Sequence, residues 1–169
     1  MKLLNEHEHF VVENFSICFI VTSESVLGGL KSDEIRPLAE RLHELCPKVL
    51  VKNYLVIGND IGAIRETVLN YSKICDVIVV SGGTGISRRD VSIEAVEPLS
   101  NKKILGFGEL FRALSYKQIG VRAYISRASA YVVNNSLVFV VPGNPDAVKL
   151  ALEIICEVAP HAIYEARRT

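Results

Sequence analysis

Apolar and polar positions follow two periods along this chain, and the switches between them mark out its elements. Phe15–Thr22 is an apolar run of strand length, and Val49–Ile57 and 75–80 also read as strands. Between the first two, Ile35, Leu38, Ala39, Leu42 and Leu45 recur at helical spacing. They predict one helix over 33–45, closed by Pro47. Ile61, Ile64, Val68 and Tyr71 predict a second helix, with Asn59 or Asp60 as its cap. Ser92–Val96 reads as a short helix. A longer one over 106–116 carries Phe107, Leu110, Phe111 and Leu114 on one face.

The last third begins with two apolar runs, 130–133 and 137–141. Asn134-Asn135-Ser136 separates them, the signal of a hairpin with a tight Asn turn. Pro142-Gly143-Asn144-Pro145 then opens a final helix. Asn144 suits the cap, Pro145 the first helical position, and Asp146 complements the helix dipole. Strands alternating with helices imply an α/β fold with a largely parallel sheet covered on both faces. The chain is expected to form a single domain over 1–169, with residues 1–14 a loosely structured extension.

Composition narrows the function classes. Lys and Arg number 19 and so do Asp and Glu, which argues against a nucleic-acid polymer as partner. No apolar run reaches the length of a membrane span, and the first ten residues lack a secretory pattern. A cytoplasmic protein is the expectation. The four cysteines, Cys18, Cys46, Cys75 and Cys156, contain no Cys-x-x-Cys, and buried free thiols are expected. Among the histidines only His7 and His9 are spaced as a weak ligand pair.

Three segments carry candidate chemistry, each at the end of a predicted strand, where α/β sheets place their ligands. The first is Ser81-Gly82-Gly83-Thr84-Gly85, followed by Arg88, Arg89 and Asp90. Its glycines allow a tight turn and close approach of backbone to an anion, and Asp90 is placed to hold Mg²⁺. An ordinary turn with Asp90 capping the next helix fits the same spacing. The pattern is neither Gly-x-Gly-x-x-Gly nor a Walker loop. The second is Gly58-Asn59-Asp60, where a carboxylate either caps a helix or faces Asp90 across neighbouring strand ends and shares a metal. The third, Pro142-Gly143-Asn144-Pro145, is either a helix N-terminus open to an anion or a plain stop-and-start signal. Residues 82–130 hold eight basic and four acidic side chains, which suits a compact anion beside the glycine loop, a solvated surface or a subunit contact.

Taken in order, these residues resemble the MoaB/MogA family of molybdenum-cofactor biosynthesis. The resemblance rests on Gly82-Gly83-Thr84-Gly85, on Arg89-Asp90-Val91-Ser92 with Glu94-Ala95, on Gly106-Phe107-Gly108-Glu109-Leu110-Phe111-Arg112 with Leu114-Ser115 and Ile119-Gly120, on Ser126-Arg127-Ala128, and on Pro142-Gly143-Asn144-Pro145. It extends over nearly the whole chain from Phe15 and is nearest the MoaB branch.

The resemblance implies a three-layer α/β/α fold with a mostly parallel sheet and a small C-terminal hairpin. The implied assembly is a homotrimer or homohexamer, and the implied activity is adenylyl transfer from ATP to molybdopterin with Mg²⁺. By the same resemblance, Asp90 and Asp60 are candidate catalytic and Mg²⁺-binding residues. Gly82, Gly83, Thr84, Gly85, Arg112, Ser115, Pro142, Gly143, Asn144 and Pro145 are candidate substrate-binding residues.

The chain departs from the family pattern in its first half. Gly58-Asn59-Asp60 stands where the family commonly reads Pro-Asp-Asp, so the first acid is Asn59. Thr22-Ser23-Glu24 replaces an early Ser-Asp-Arg stretch, and 33–37 lacks a small Ser-Gly pair. A non-catalytic molybdopterin-binding or carrier protein is therefore the alternative. A third reading is the same fold used as a module, as in competence-damage or synaptic scaffold proteins.

Overall fold

The computed structural model describes residues 10–169. Six strands form one sheet: β1 (Phe15–Thr22), β2 (Val49–Ile57), β3 (Val77–Ser81), β4 (Lys102–Lys103), β5 (Ser129–Val133) and β6 (Ser136–Val141). Their spatial order is β2-β1-β3-β6-β5-β4. β2, β1, β3 and β6 run parallel, and β5 is antiparallel to both β6 and β4. All of β1, β3 and β6 is buried, as strands covered on both faces must be.

The helices are α1 (Glu24–Leu27), α2 (Arg36–Glu40), α3 (Leu42–Leu45), α4 (Ile61–Tyr71), α5 (Ser92–Val96), α6 (Leu105–Ile119) and α7 (Pro145–Arg167). They divide the core in two. On one face Ile17, Phe19, Val21, Val77, Val79 and Phe139 pack with Ala39, Leu42, Phe111, Ala151 and Ile155 from α2, α3, α6 and α7. On the other, Cys18, Ile20, Ile78, Val80 and Val138 pack with Ile64 and Val68 of α4 and Ile93 and Val96 of α5. The strand period of two sends successive side chains to opposite layers. Each fully buried Ile, Leu or Phe adds about 1.5–3 kcal/mol. The result is the expected three-layer α/β/α fold.

Two expectations change. The helix predicted over 33–45 is two short ones, broken at Arg41. Asp33 Oδ1 accepts from the Ile35 and Arg36 N–H groups and from the Tyr54 hydroxyl of β2, which holds 33–35 as a turn. The expected hairpin forms: Asn134 and Asn135 take φ of 49° and 67°, as a tight primed turn requires, and β6 runs into the middle of the sheet beside β3.

The cysteines are not all free thiols. Cys18 and Cys75 form a disulfide, their Cα atoms brought to 6.1 Å by adjacent elements, while Cys46 and Cys156 stay free, the latter only half-buried. Residues 10–14 carry no regular element, yet they are tied to α7: Val12 N–H donates to the Pro160 carbonyl, and Phe10 stacks on Tyr164. The remainder of the expected extension, with His7 and His9, lies outside the described residues. No helix among the described residues is long and apolar enough to cross a membrane.

Candidate functional site

β3 and β6 are neighbours and end side by side, so their two glycine-bearing loops emerge together. The Gly82 N–H donates to the Val141 carbonyl at 2.9 Å, extending the pairing one residue past β3. Gly82 and Gly83 have φ of 107° and 68°, backbone conformations that glycine adopts readily and that turn the chain away from the line of β3. A Cβ on Gly82 would lie 2.5 Å from the Thr22 carbonyl oxygen, so only glycine fits against the end of β1. The Ser92 N–H then donates to the Gly83 carbonyl at 3.1 Å, anchoring the turn to the start of α5.

The second loop enters α7 as its sequence requires. Asn144 Oδ1 accepts from the Ala147 N–H at 2.9 Å, and Pro145 opens the first turn. Between the loops, the end of α6 and the 3-10 helix Gly120–Ile125 lies a cavity of about 790 Å³. That volume is within the range of small-molecule sites. Gly83, Thr84, Gly85, Asp90, Ser115, Pro142, Gly143 and Asn144 all line it. Residues from four segments of the chain thus meet at the carboxyl ends of adjacent strands.

Four other candidates stand elsewhere. Gly82 packs against Thr22 at the end of β1 and Pro145 opens α7, and neither lines the cavity. Arg112 points its Nη1 at the Ala128 and Ser126 carbonyls, at 2.9 and 3.4 Å, and braces the chain before β5. Asp60 is the N-cap of α4: its Oδ1 accepts from the Ala63 N–H at 2.7 Å. It lies at the end of β2, separated from β3 by β1, and does not line the cavity.

Asp90 is held on the cavity wall as an anion. Burial opposes its ionisation, but hydrogen bonds from the Ser87 hydroxyl at 2.6 Å, the Ser87 N–H at 3.0 Å and the Gly85 N–H outweigh it. With the Arg127 charge nearby, they keep the carboxyl below its ordinary range.

The cavity's charge differs from the expectation. Of the eight basic residues in 82–130, only Arg122 lines it. Arg112 and Arg127 are spent on main-chain carbonyls, and Lys103 pairs with Glu97. Lining cations are Arg122 and Lys149, against carboxylates Asp90, Asp146 and Glu153. Among the described residues no group of three or more His, Cys, Asp or Glu is arranged for a metal ion.

The sequence reading missed the wall built by Gln118, Ile119 and Ile125 and the face of α7 carrying Asp146, Lys149 and Glu153. The i, i+3, i+7 spacing of that last trio is a legible helix stripe, but nothing in the spacing says that it faces a cavity.

The likeness to known proteins agrees with this geometry. Residues 18–161 match the family described as a probable molybdopterin binding domain. The molybdenum cofactor biosynthesis protein B of Staphylococcus epidermidis is 44% identical over 174 residues, covering 98% of each chain. The protein of the same name from Staphylococcus carnosus is 39% identical over 170 residues, covering 95% of this chain and 96% of the other. The crystal structure of the tungsten cofactor synthesizing protein MoaB from Pyrococcus furiosus superposes with a TM-score of 0.85 at 32% identity, covering 93% of this chain and 99% of that one. Fold, loop placement and likeness along almost the whole chain agree, and the protein belongs to the MoaB/MogA family of probable molybdopterin binding domains.

Proposed function

We propose that the protein is a molybdopterin adenylyltransferase of molybdenum or tungsten cofactor biosynthesis. The observation that carries this reading is the pairing of two glycine-bearing strand-end loops across one cavity with the ionised Asp90 on its wall. A terminal phosphate oxygen of molybdopterin attacks the α-phosphorus of ATP. The bond from that phosphorus to the bridging oxygen of the β-phosphate breaks, and adenylylated molybdopterin and pyrophosphate result.

The turn at Gly82 and Gly83, where a Cβ would strike Thr22 or Ser92, sets the main chain of Gly83, Thr84 and Gly85 on the cavity wall, where a phosphate would lie against it. Pro142, Gly143 and Asn144 form the facing wall, with Ser115 on α6 between. The lining carries three carboxylates against two cations, so the anions that enter need a companion cation. Mg²⁺ commonly arrives on nucleotide phosphates and takes one or two protein carboxylates, and Asp90 meets that requirement. When bound, Mg²⁺ spreads the negative charge that builds on the phosphates. Asp90 would orient it, and Arg122 and Lys149 would neutralise the phosphates farther out.

The test is conversion of ATP and molybdopterin, with Mg²⁺, to adenylylated molybdopterin and pyrophosphate by the purified chain. Absence of product under conditions that support an active relative overturns the reading. The homotrimer or homohexamer implied by the resemblance is proposed with it, and mass in solution tests that.

One observation favours a second reading, a non-catalytic molybdopterin-binding protein. Asn59 brings no charge where the family commonly has an acid. Its N–H donates to Glu24 Oε1 at 2.8 Å, and its Oδ1 is buried without a partner among the described residues. Tight binding without transfer, with transfer gained in Asn59→Asp, would select it.

A further inference from the structure

Arg127 reaches both ends of the loop that carries Asp90. Its Nε donates to the Gly85 carbonyl at 2.9 Å, and its Nη2 donates to the Asp90 carbonyl at 3.1 Å. Its own N–H donates to the Thr84 carbonyl at 3.2 Å. The remaining guanidinium donors meet the Glu94 carboxylate. Glu94 belongs to α5, whose Ile93, Ala95 and Val96 are packed into the core, so this anchor is fixed.

Arg127 is itself held from behind, since Arg112 grips the carbonyls of its two neighbours, Ser126 and Ala128. The loop it spans has little else to hold it. Ile86, Ser87, Arg88 and Arg89 are exposed, Ile86 at 74%, and the hydrogen bonds of Ser87 close back on Asp90 itself.

We propose that Arg127 is a positioning residue for the transfer reaction, pinning the two ends of segment 85–90 so that the Asp90 carboxylate stays on the cavity wall. This rests on the adenylyl-transfer reading of the cavity. The planar fork of a guanidinium reaches two carbonyls and a carboxylate at once, which a lysine ammonium cannot do. The Gly82–Gly83 turn is fastened separately, by the Val141 carbonyl and the Ser92 N–H. Loosening Arg127 therefore frees the Asp90 end and leaves the phosphate turn in place. A residue that places a group acting mainly on the transition state shows in kcat more than in KM.

Arg127→Lys and Arg127→Ala in the full chain test this, read by amide hydrogen exchange and by turnover with ATP, Mg²⁺ and molybdopterin. In Arg127→Lys, exchange over 85–90 is expected to quicken about tenfold or more, with the core strands unchanged. kcat should fall about tenfold or more, with KM for molybdopterin within about threefold. Guanidinium ion at low concentration should restore part of the kcat of Arg127→Ala, and ammonium should not. Wild-type exchange over 85–90, or a rise in KM with kcat intact, would overturn the proposal. So would failure of guanidinium to restore turnover. If the wild-type chain transfers no AMP at all, the adenylyl-transfer reading falls, and the exchange measurement still decides whether Arg127 holds the loop.

Discussion

Gly143 lies against Gly82: a methyl group placed on Gly143 would sit 3.2 Å from the Gly82 Cα. The two loops that wall the cavity are thus packed glycine to glycine, and the spacing between them depends on Gly143 lacking a side chain. Gly143→Ala must move the loops apart by a few tenths of an ångström. Stability should fall by about 1 kcal/mol or less, while molybdopterin binding weakens about fivefold or more. Thermal unfolding and equilibrium binding, measured together, check the split. Gly82→Ala is the harsher change, because its methyl meets the Thr22 backbone at 2.5 Å and its φ is positive. It should cost about 1–3 kcal/mol in stability.

Asp90→Asn keeps the size of the side chain and most of its hydrogen bonds but removes the charge. AMP transfer should fall by about 10²-fold or more. The unfolding midpoint should move little, since the carboxylate sits in a partly exposed loop outside both core layers. Comparable losses in turnover and stability would assign Asp90 to holding the loop alone.

Asp60 separates capping from catalysis. Asp60→Ala should cost about 1 kcal/mol through the lost cap of α4, and Asp60→Ser should recover most of it. Both variants should retain AMP transfer near the wild-type rate. A large loss of turnover in Asp60→Ser, with stability intact, would return Asp60 to the chemistry.

Acid should loosen the far end of the sheet. Asp76, just before β3, is partly buried, which opposes its charge. It accepts from Ser16 N–H and Oγ at 2.7 and 2.8 Å and pairs with Arg167 at the end of α7, and together these hold its carboxyl below the ordinary range. A folded pKa below the unfolded one stabilises at pH above the ordinary carboxylate range, and the benefit drains away as pH falls through the folded value. Asp76→Asn should cost about 1–2 kcal/mol at neutral pH, with the carboxylate's partial exposure keeping it modest. It should also flatten the acid limb of a stability-against-pH curve measured by denaturant unfolding.

Much of the fold was legible because its signals are local. Phe15–Thr22, Val49–Ile57 and Ser92–Val96 form over the residues their pattern marks. Asn134-Asn135 makes the turn it predicts, and Asn144-Pro145 starts α7 as a cap and first-turn pair should. The break at Arg41 was not legible. Nor was the turn at 33–35, which the bond from Tyr54 to Asp33 helps to hold between residues 21 apart in sequence. The two-residue β4 was hidden for a similar reason: Lys102 and Lys103 have no strand pattern and pair only because β5 lies beside them.

For the site, the sequence by itself determined which segments carry the chemistry. Glycines, prolines and cap residues declare strand-end loops through their own backbone preferences, which act over a few residues. The tertiary structure alone decided which of those loops meet. Strand order puts β6 beside β3, so the loops at 82–85 and 142–145 face one cavity, while β1 stands between β3 and the loop holding Asp60. It also decided the charge of that cavity, turning Arg112 and Arg127 inward to main-chain carbonyls and bringing Asp146 and Glu153 to its wall. Adjacency in a parallel sheet comes from packing between distant segments, and no short-range preference encodes it.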